Sequence, residues 1–269
     1  MDVCARNNVK LGGRGQRTMM FAHGFGCDQA MWRLVAPAFE AEWRTVLFDL
    51  VGSGGSDLSA YDREKYARLD GYAGDVIAIC EALSLKDVVF VGHSVSAMIG
   101  AIAAAARPEL FSGLIMVGPS PRYIDDVGYK GGFSRAQIEE LIEFLDSNYL
   151  GWASTMAPAI MGNLDRPELG AELTNSFCRT DPEIAKHFAR VTFLSDNRAD
   201  LARLRTPTLV LQCSDDVIAP VEVGELVHRN IPGSRFVLMK ASGHCPNLSA
   251  PEETIAVIRD FLAERLEAR

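Results

Sequence analysis

Apolar residues along the chain fall into two alternating patterns. Short aliphatic runs bounded by Gly, Asp or Pro read as buried strands at residues 18–22 (TMMFA), 45–50 (TVLFDL), 88–92 (VVFVG) and 114–118 (LIMVG). Between them, residues 72–83 and 95–106 show helical patterning. Strands that alternate with helices predict βαβ units and a parallel sheet. The rhythm then stops. From about residue 121 to residue 200 no convincing buried strand occurs, and helical patterning occupies 134–146, 147–158, 166–177 and 182–194. The first of these begins at Ser134, a good helix cap. After Pro207 the alternation resumes, with strands at 208–212 (TLVLQ) and 235–239 (RFVLM) and helices at 221–230 and 251–266.

The pattern predicts an α/β core built from residues 1–120 and 201–269, with a helical insertion over 121–200. Ligands of open α/β sheets bind beyond the carboxyl ends of the strands. Long insertions in compact domains are usually functional, so this one is expected to form a lid over those ends.

Composition narrows the classes of partner. A formal net charge of −8 offers no basic surface for a polyanion, which argues against a nucleic-acid partner. The start, MDVCARNNVK, has no apolar signal segment, and the small-residue stretch 97–106 is too short to span a bilayer. The expectation is a soluble, cytoplasmic protein that needs no membrane. Its six cysteines form no CxxC pair and are expected to be reduced thiols, mostly packed as small core residues.

The sharpest chemical signal is GHSVS at 92–96, placed between the run VVFV and the helical stretch that follows. A strand–turn–helix with a serine at its apex is a nucleophile elbow, in which residues two positions away must be small. Gly92 meets this requirement, and Ser96 stands where the general pattern has glycine. A bare helix cap would also account for Ser94, but not for its placement directly after a core strand. A serine hydroxyl needs a base, and the base needs an orienting carboxylate. In this arrangement the chain order is Ser, acid, His. Asp215 and Asp216 follow the strand TLVLQ, and His244 follows the strand RFVLM. An acyl-transfer site also needs oxyanion donors. The N–H of Val95, the residue after the nucleophile, is one candidate. The N–H of Phe25, in the glycine-flanked loop HGFG after the first strand, is the other.

The remaining candidates read as structural. His23 and His93, with Asp49 or Asp57, match no zinc spacing, so neither a metal nor a cofactor is expected. His187 and His228 lie in helical patterns and read as surface residues. Cys245, beside the candidate base, reads as a packed or pocket-lining thiol.

Taken together, these residues resemble the bacterial RsbQ-type hydrolases and the plant karrikin- and strigolactone-receptor hydrolases of the α/β-hydrolase fold. The marks run over nearly the whole chain: NNVK (7–10), HGFGCDQAMW (23–32), LDGYAGDV (69–76), GHSVSAMIG (92–100), GPSPRY (118–123), NYLGWA (148–153), DDVIAP (215–220) and GHCPNLSAPE (243–252). The elbow GHSVSAMIG, with Ser96, is like that of the plant receptors, whereas FGCDQ and GPSP look closer to the bacterial group. The resemblance implies a V-shaped four-helix lid over a deep apolar pocket lined by Phe25, Phe133, Trp152, Met156, Phe177, Phe193 and Ile218. It also places the acid before a V-x-x-P segment, which selects Asp216 and leaves Asp215 as a turn former.

The function implied is hydrolysis of a small apolar, butenolide-like ester or lactone through an acyl-enzyme, slow and linked to signalling. The alternative is a ligand receptor whose hydrolysis is incidental to binding a signalling protein. Dehalogenases and epoxide hydrolases of this architecture use an aspartate nucleophile, so Ser94 argues against them. A carbon–carbon hydrolase or a cofactor-free peroxidase keeps the serine, and the overall resemblance sets these aside. A monomer is expected.

Overall fold

The computed structural model describes residues 2–265. Leu266, the expected last position of the final helix, and the rest of the C-terminal core segment beyond it lie outside the described residues. The strands are β1 (Lys10–Gly13), β2 (Arg17–Ala22), β3 (Trp43–Phe48), β4 (Val88–His93), β5 (Phe111–Val117), β6 (Thr208–Asp215) and β7 (Arg235–Ser242). The longer helices are α1 (Leu69–Ala82), α2 (Val95–Ala106), α3 (Arg135–Ser147), α4 (Tyr149–Met161), α5 (Pro167–Arg179), α6 (Pro182–Phe193), α7 (Val221–Asn230) and α8 (Pro251–Arg265).

Among the described residues the strands form one sheet in the order β1-β3-β2-β4-β5-β6-β7. Every pairing is parallel except β1 with β3. Side chains alternate between two separate apolar layers. Met20, Ala22, Val88 and Phe90 face one, and Met19, Phe21, Val89 and Val91 face the other. This is why the strands read as unbroken apolar runs: both faces of a parallel sheet are covered. β1 was not foreseen, because KLGG has no apolar run and stays largely exposed at the sheet edge.

The chain passes from β2 to β3 on one side and then returns to place β4 on the other side of β2. The strand order therefore reverses beside β2 and β4. A crevice opens beyond the carboxyl ends of strands at such a point. The loops after these two strands carry Phe25 and Ser94.

Helices α3 to α6 fall between β5 and β6. At the start of α3, Ser134 and Gln137 cap each other reciprocally: the Gln137 N–H donates to Ser134 Oγ at 3.2 Å, and the Ser134 N–H donates to Gln137 Oε1 at 2.7 Å. Helices α4 and α5 pack closely against each other. Among the described residues no helix is long and apolar enough to cross a membrane.

Candidate active site

Ser94 sits between β4 and α2 with φ of +56° and ψ of −123°, a backbone conformation that a residue with a side chain rarely adopts. Two features hold it there. The Ser94 N–H donates to the Val117 carbonyl on β5 at 2.8 Å. The turn also brings the Ser96 carbonyl to within 2.4 Å of where a Cβ on Gly92 would lie, so position 92 must be glycine. Although Ser94 occupies the cap position of α2, its side chain caps nothing. Its Oγ lies instead 2.7 Å from Nε2 of His244.

His244 projects from the loop after β7. Gly243, with φ of +81°, lets the chain pass so close to the end of α4 that a Cβ there would lie 1.9 Å from the Met161 carbonyl. The His244 N–H donates to the Ile160 carbonyl at 2.9 Å, which ties this loop to the inserted helices. On the far side of the ring, Nδ1 lies 2.7 Å from Oδ2 of Asp216. The other carboxylate oxygen of Asp216 accepts the N–H groups of Ile218 at 2.8 Å and Ala219 at 3.0 Å. Burial works to raise the pKa of this carboxyl, but His244 and the two backbone donors outweigh it and hold the pKa below the ordinary value. An ionised Asp216 accepts the Nδ1 proton, which leaves the Nε2 lone pair facing the Ser94 hydroxyl. Ser94, His244 and Asp216 are all buried. Asp215, the alternative acid, is exposed at the end of β6.

The two candidate oxyanion donors flank Ser94. Val95 opens α2, and Phe25 lies in the loop after β2. No described residue accepts a hydrogen bond from either backbone N–H.

A narrow apolar cavity of about 30 Å³ opens on Ser94 and His244. Of the expected wall residues, Phe25, Phe177, Phe193 and Ile218 line it. Phe133, Trp152 and Met156 do not. Trp152 is wholly buried one layer behind, stacked on Phe177 at 5.5 Å and edge-on to Phe25 at 5.9 Å. Phe133 and Met156 are partly buried against the core cluster.

Sequence reasoning missed His93 and Tyr123 as cavity residues, together with Cys27. Burial raises the Tyr123 phenol pKa, and hydrogen bonding to Ser94 opposes this. Cys27 and Cys245 both line the cavity, and burial holds both thiols in the neutral form. The structure also corrects the surface reading of two histidines. His187 and His228 are half-buried, with ring nitrogens 2.7 Å from the Tyr61 hydroxyl and 2.8 Å from the Ser234 hydroxyl.

His93 is wholly neutral in this setting. Its Nε2 donates to the His244 carbonyl at 2.8 Å, and its Nδ1 is buried without a partner. Burial first, then the neighbouring His244, lowers its pKa from 6.5 to about 3. The unfolded chain thus takes up a proton near pH 6.5 that the folded protein refuses until about pH 3. Stability from this group is complete above that upper value and falls on acidification, by up to about 5 kcal/mol at the lower one. Asp216 acts in a separate window: its low pKa contributes stability that is lost only as the pH falls below about 4. Denaturant unfolding at about pH 7 and about pH 4.5 therefore isolates the histidine. His93→Gln, which keeps a donor near the Nε2 position, is expected to lose about 2 kcal/mol less than wild type between these conditions. Equal losses would show that His93 does not titrate as described. His187, also held low by burial, contributes equally to both proteins.

Comparison with known proteins agrees with this architecture. The chain is 40% identical over 254 residues to the Karrikin insensitive 2 receptor CA of Petunia hybrida, covering 94% of each chain. It is 36% identical over 262 residues to the Strigolactone esterase RMS3 of Pisum sativum, covering 97% of this chain and 95% of that one. A solved hydrolase from Oleispira antarctica superposes with a TM-score of 0.95 at 43% identity, covering 97% of this chain and 96% of that one. Residues 19–257 match the model of the Alpha/beta hydrolase family, and the chain belongs to that family.

Proposed function

We propose that this protein is a serine hydrolase that cleaves a small apolar ester or lactone through an acyl-enzyme. The observation that carries the reading is the unbroken relay Asp216–His244–Ser94, linked at 2.7 Å and 2.7 Å and ending in an apolar cavity. In this reading His244 takes the proton of Ser94 as Oγ attacks the carbonyl carbon. The Phe25 and Val95 N–H groups receive the oxyanion. His244 returns the proton to the departing alkoxide, and a water deprotonated by His244 then releases the acid and frees Ser94. Asp216 keeps the imidazole in the required tautomer and stabilises its cation. Helices α3 to α6, within the insertion 121–200, act as the lid.

The cavity is small for a substrate as it stands. About 30 Å³ has room for little more than one water molecule, so lining side chains or the inserted helices must move before a substrate reaches Ser94. The same observation, with a karrikin receptor and a strigolactone esterase among the relatives, favours a second reading. In it the protein senses a butenolide-like ligand, signals through a protein partner, and hydrolyses incidentally.

Incubation with a fluorogenic butenolide and with a short p-nitrophenyl ester, following turnover and intact mass together, separates these readings. Repeated turnover without a lasting adduct is the result expected of the hydrolase. A single burst with retained mass on Ser94 or His244 would favour the sensor. No reaction with either compound would contradict the substrate class.

A further inference from the structure

We infer that Ser96 is a positioning residue, whose hydroxyl ties the nucleophile elbow to the loop carrying the Phe25 N–H and so keeps the two oxyanion donors in one geometry. The inference rests on the hydrolytic reading above. The donors belong to different segments of chain. β2 and β4 pair in register only as far as Ala22 and Gly92, so the sheet ladder does not reach the two loops beyond.

Ser96 bridges that gap. It is wholly buried, and its Oγ donates to the His23 carbonyl at 2.5 Å. His23 carries the constraint forward. Its Nε2 accepts the Leu50 N–H at 3.1 Å and is therefore unprotonated, so the ring proton sits on Nδ1. Nδ1 donates to the Gly24 carbonyl at 2.8 Å, and the Cys27 N–H reaches the same oxygen at 3.3 Å. The Gly24 carbonyl and the Phe25 N–H share one planar trans peptide and point in opposite directions. Fixing the carbonyl therefore fixes where the N–H points. Ser96 holds the peptide just before this one, and the elbow on which Ser96 sits presents the Val95 N–H. Glycine, the residue of the general elbow pattern at this position, has no hydroxyl with which to make the tie.

The test compares Ser96→Ala and Ser96→Gly with wild type and with Ser94→Ala on a short p-nitrophenyl ester. Active sites are counted from the initial burst. Phenylboronic acid affinity is measured in parallel, because the boron becomes tetrahedral on Ser94 and places an oxygen where the oxyanion forms. Loss of a whole oxyanion donor costs about 10²–10³ in kcat, and a misdirected donor costs less. Both Ser96 variants are expected to lose about ten- to a hundredfold in kcat per active site, with KM changed less than about twofold. Boronate affinity should fall by the same factor. A merely structural role would lower thermal stability and the fraction of active protein, but leave kcat per site and boronate affinity at wild-type values. That result, with Ser94→Ala inactive, would overturn the role of Ser96 alone. Full activity in Ser94→Ala would instead overturn the hydrolytic reading, and the role of Ser96 with it.

Discussion

Replacing Ser94 by alanine is expected to lower ester hydrolysis by more than about 10³-fold, because the proposed acyl-enzyme then has no hydroxyl to form on. Cys27 and Cys245 share the cavity, but burial keeps both thiols neutral and so poorly nucleophilic. Replacing Ser94 by glycine should be equally inactivating, yet the two variants should differ in stability. Position 94 holds φ at +56° with a side chain attached, a conformation that costs about 1–3 kcal/mol outside glycine. Alanine keeps this strain, whereas glycine releases it. Denaturant midpoints should therefore place Ser94→Gly above Ser94→Ala by about 1 kcal/mol or more. Equal midpoints would show that the elbow stores no strain. Residual activity above about 1% in either variant would remove Ser94 from its proposed role.

Asp216→Asn should reduce kcat by about 10⁴-fold with little change in KM. The surroundings dictate how the amide orients. The Ile218 and Ala219 N–H groups both aim at the position of Oδ1, so the amide oxygen settles there and the amide nitrogen faces His244. An N–H donor at that place requires a lone pair on Nδ1, which moves the imidazole proton to Nε2. Nε2 would then present a proton to the Ser94 hydroxyl instead of accepting one. Substitution changes neither side-chain volume nor the two backbone bonds, so the variant should fold normally. Steady-state kinetics of the purified variant decide the matter: a kcat within tenfold of wild type would mean that the carboxylate does not set the tautomer.

How much of this was legible in the sequence varied with the kind of signal. Strands buried on both faces announce themselves as apolar runs: β2, β4 and β6 include the expected segments, and β5 covers all of its segment but Gly118. Edge strand β1 is polar and glycine-rich, and it exists only because β3 offers it a partner. β3 begins and ends two residues before the expected 45–50. Asp49 leaves the ladder to accept N–H groups from Gln29 and Gly55, and the Leu50 N–H turns to His23. None of these bonds has a local signature. Chain order sufficed to nominate Ser94 and His244, because each follows a recognisable strand. Choosing Asp216 over Asp215 needed the family resemblance.

The cavity wall was the least readable part. Whether Trp152 or Phe177 meets the cavity depends on how α4 and α5 are rotated against each other, and helical periodicity shows only that both are buried. Tyr123 lies in an irregular stretch after β5, where no periodicity applies. Ser96 looked like a weakening of the elbow pattern, and its buried bond to the His23 carbonyl gives the hydroxyl a partner there.

The most direct test of the central claim is intact-mass analysis after incubation with an alkyl fluorophosphonate. In this reaction Ser94 Oγ bonds to phosphorus, fluoride departs, and the serine proton passes to His244. One phosphonyl adduct per chain is expected, mapped by peptide sequencing to Ser94, absent from Ser94→Ala and formed far more slowly in Asp216→Asn. An adduct that persists at full rate in Ser94→Ala, or that maps to another residue, would contradict Ser94 as the nucleophile.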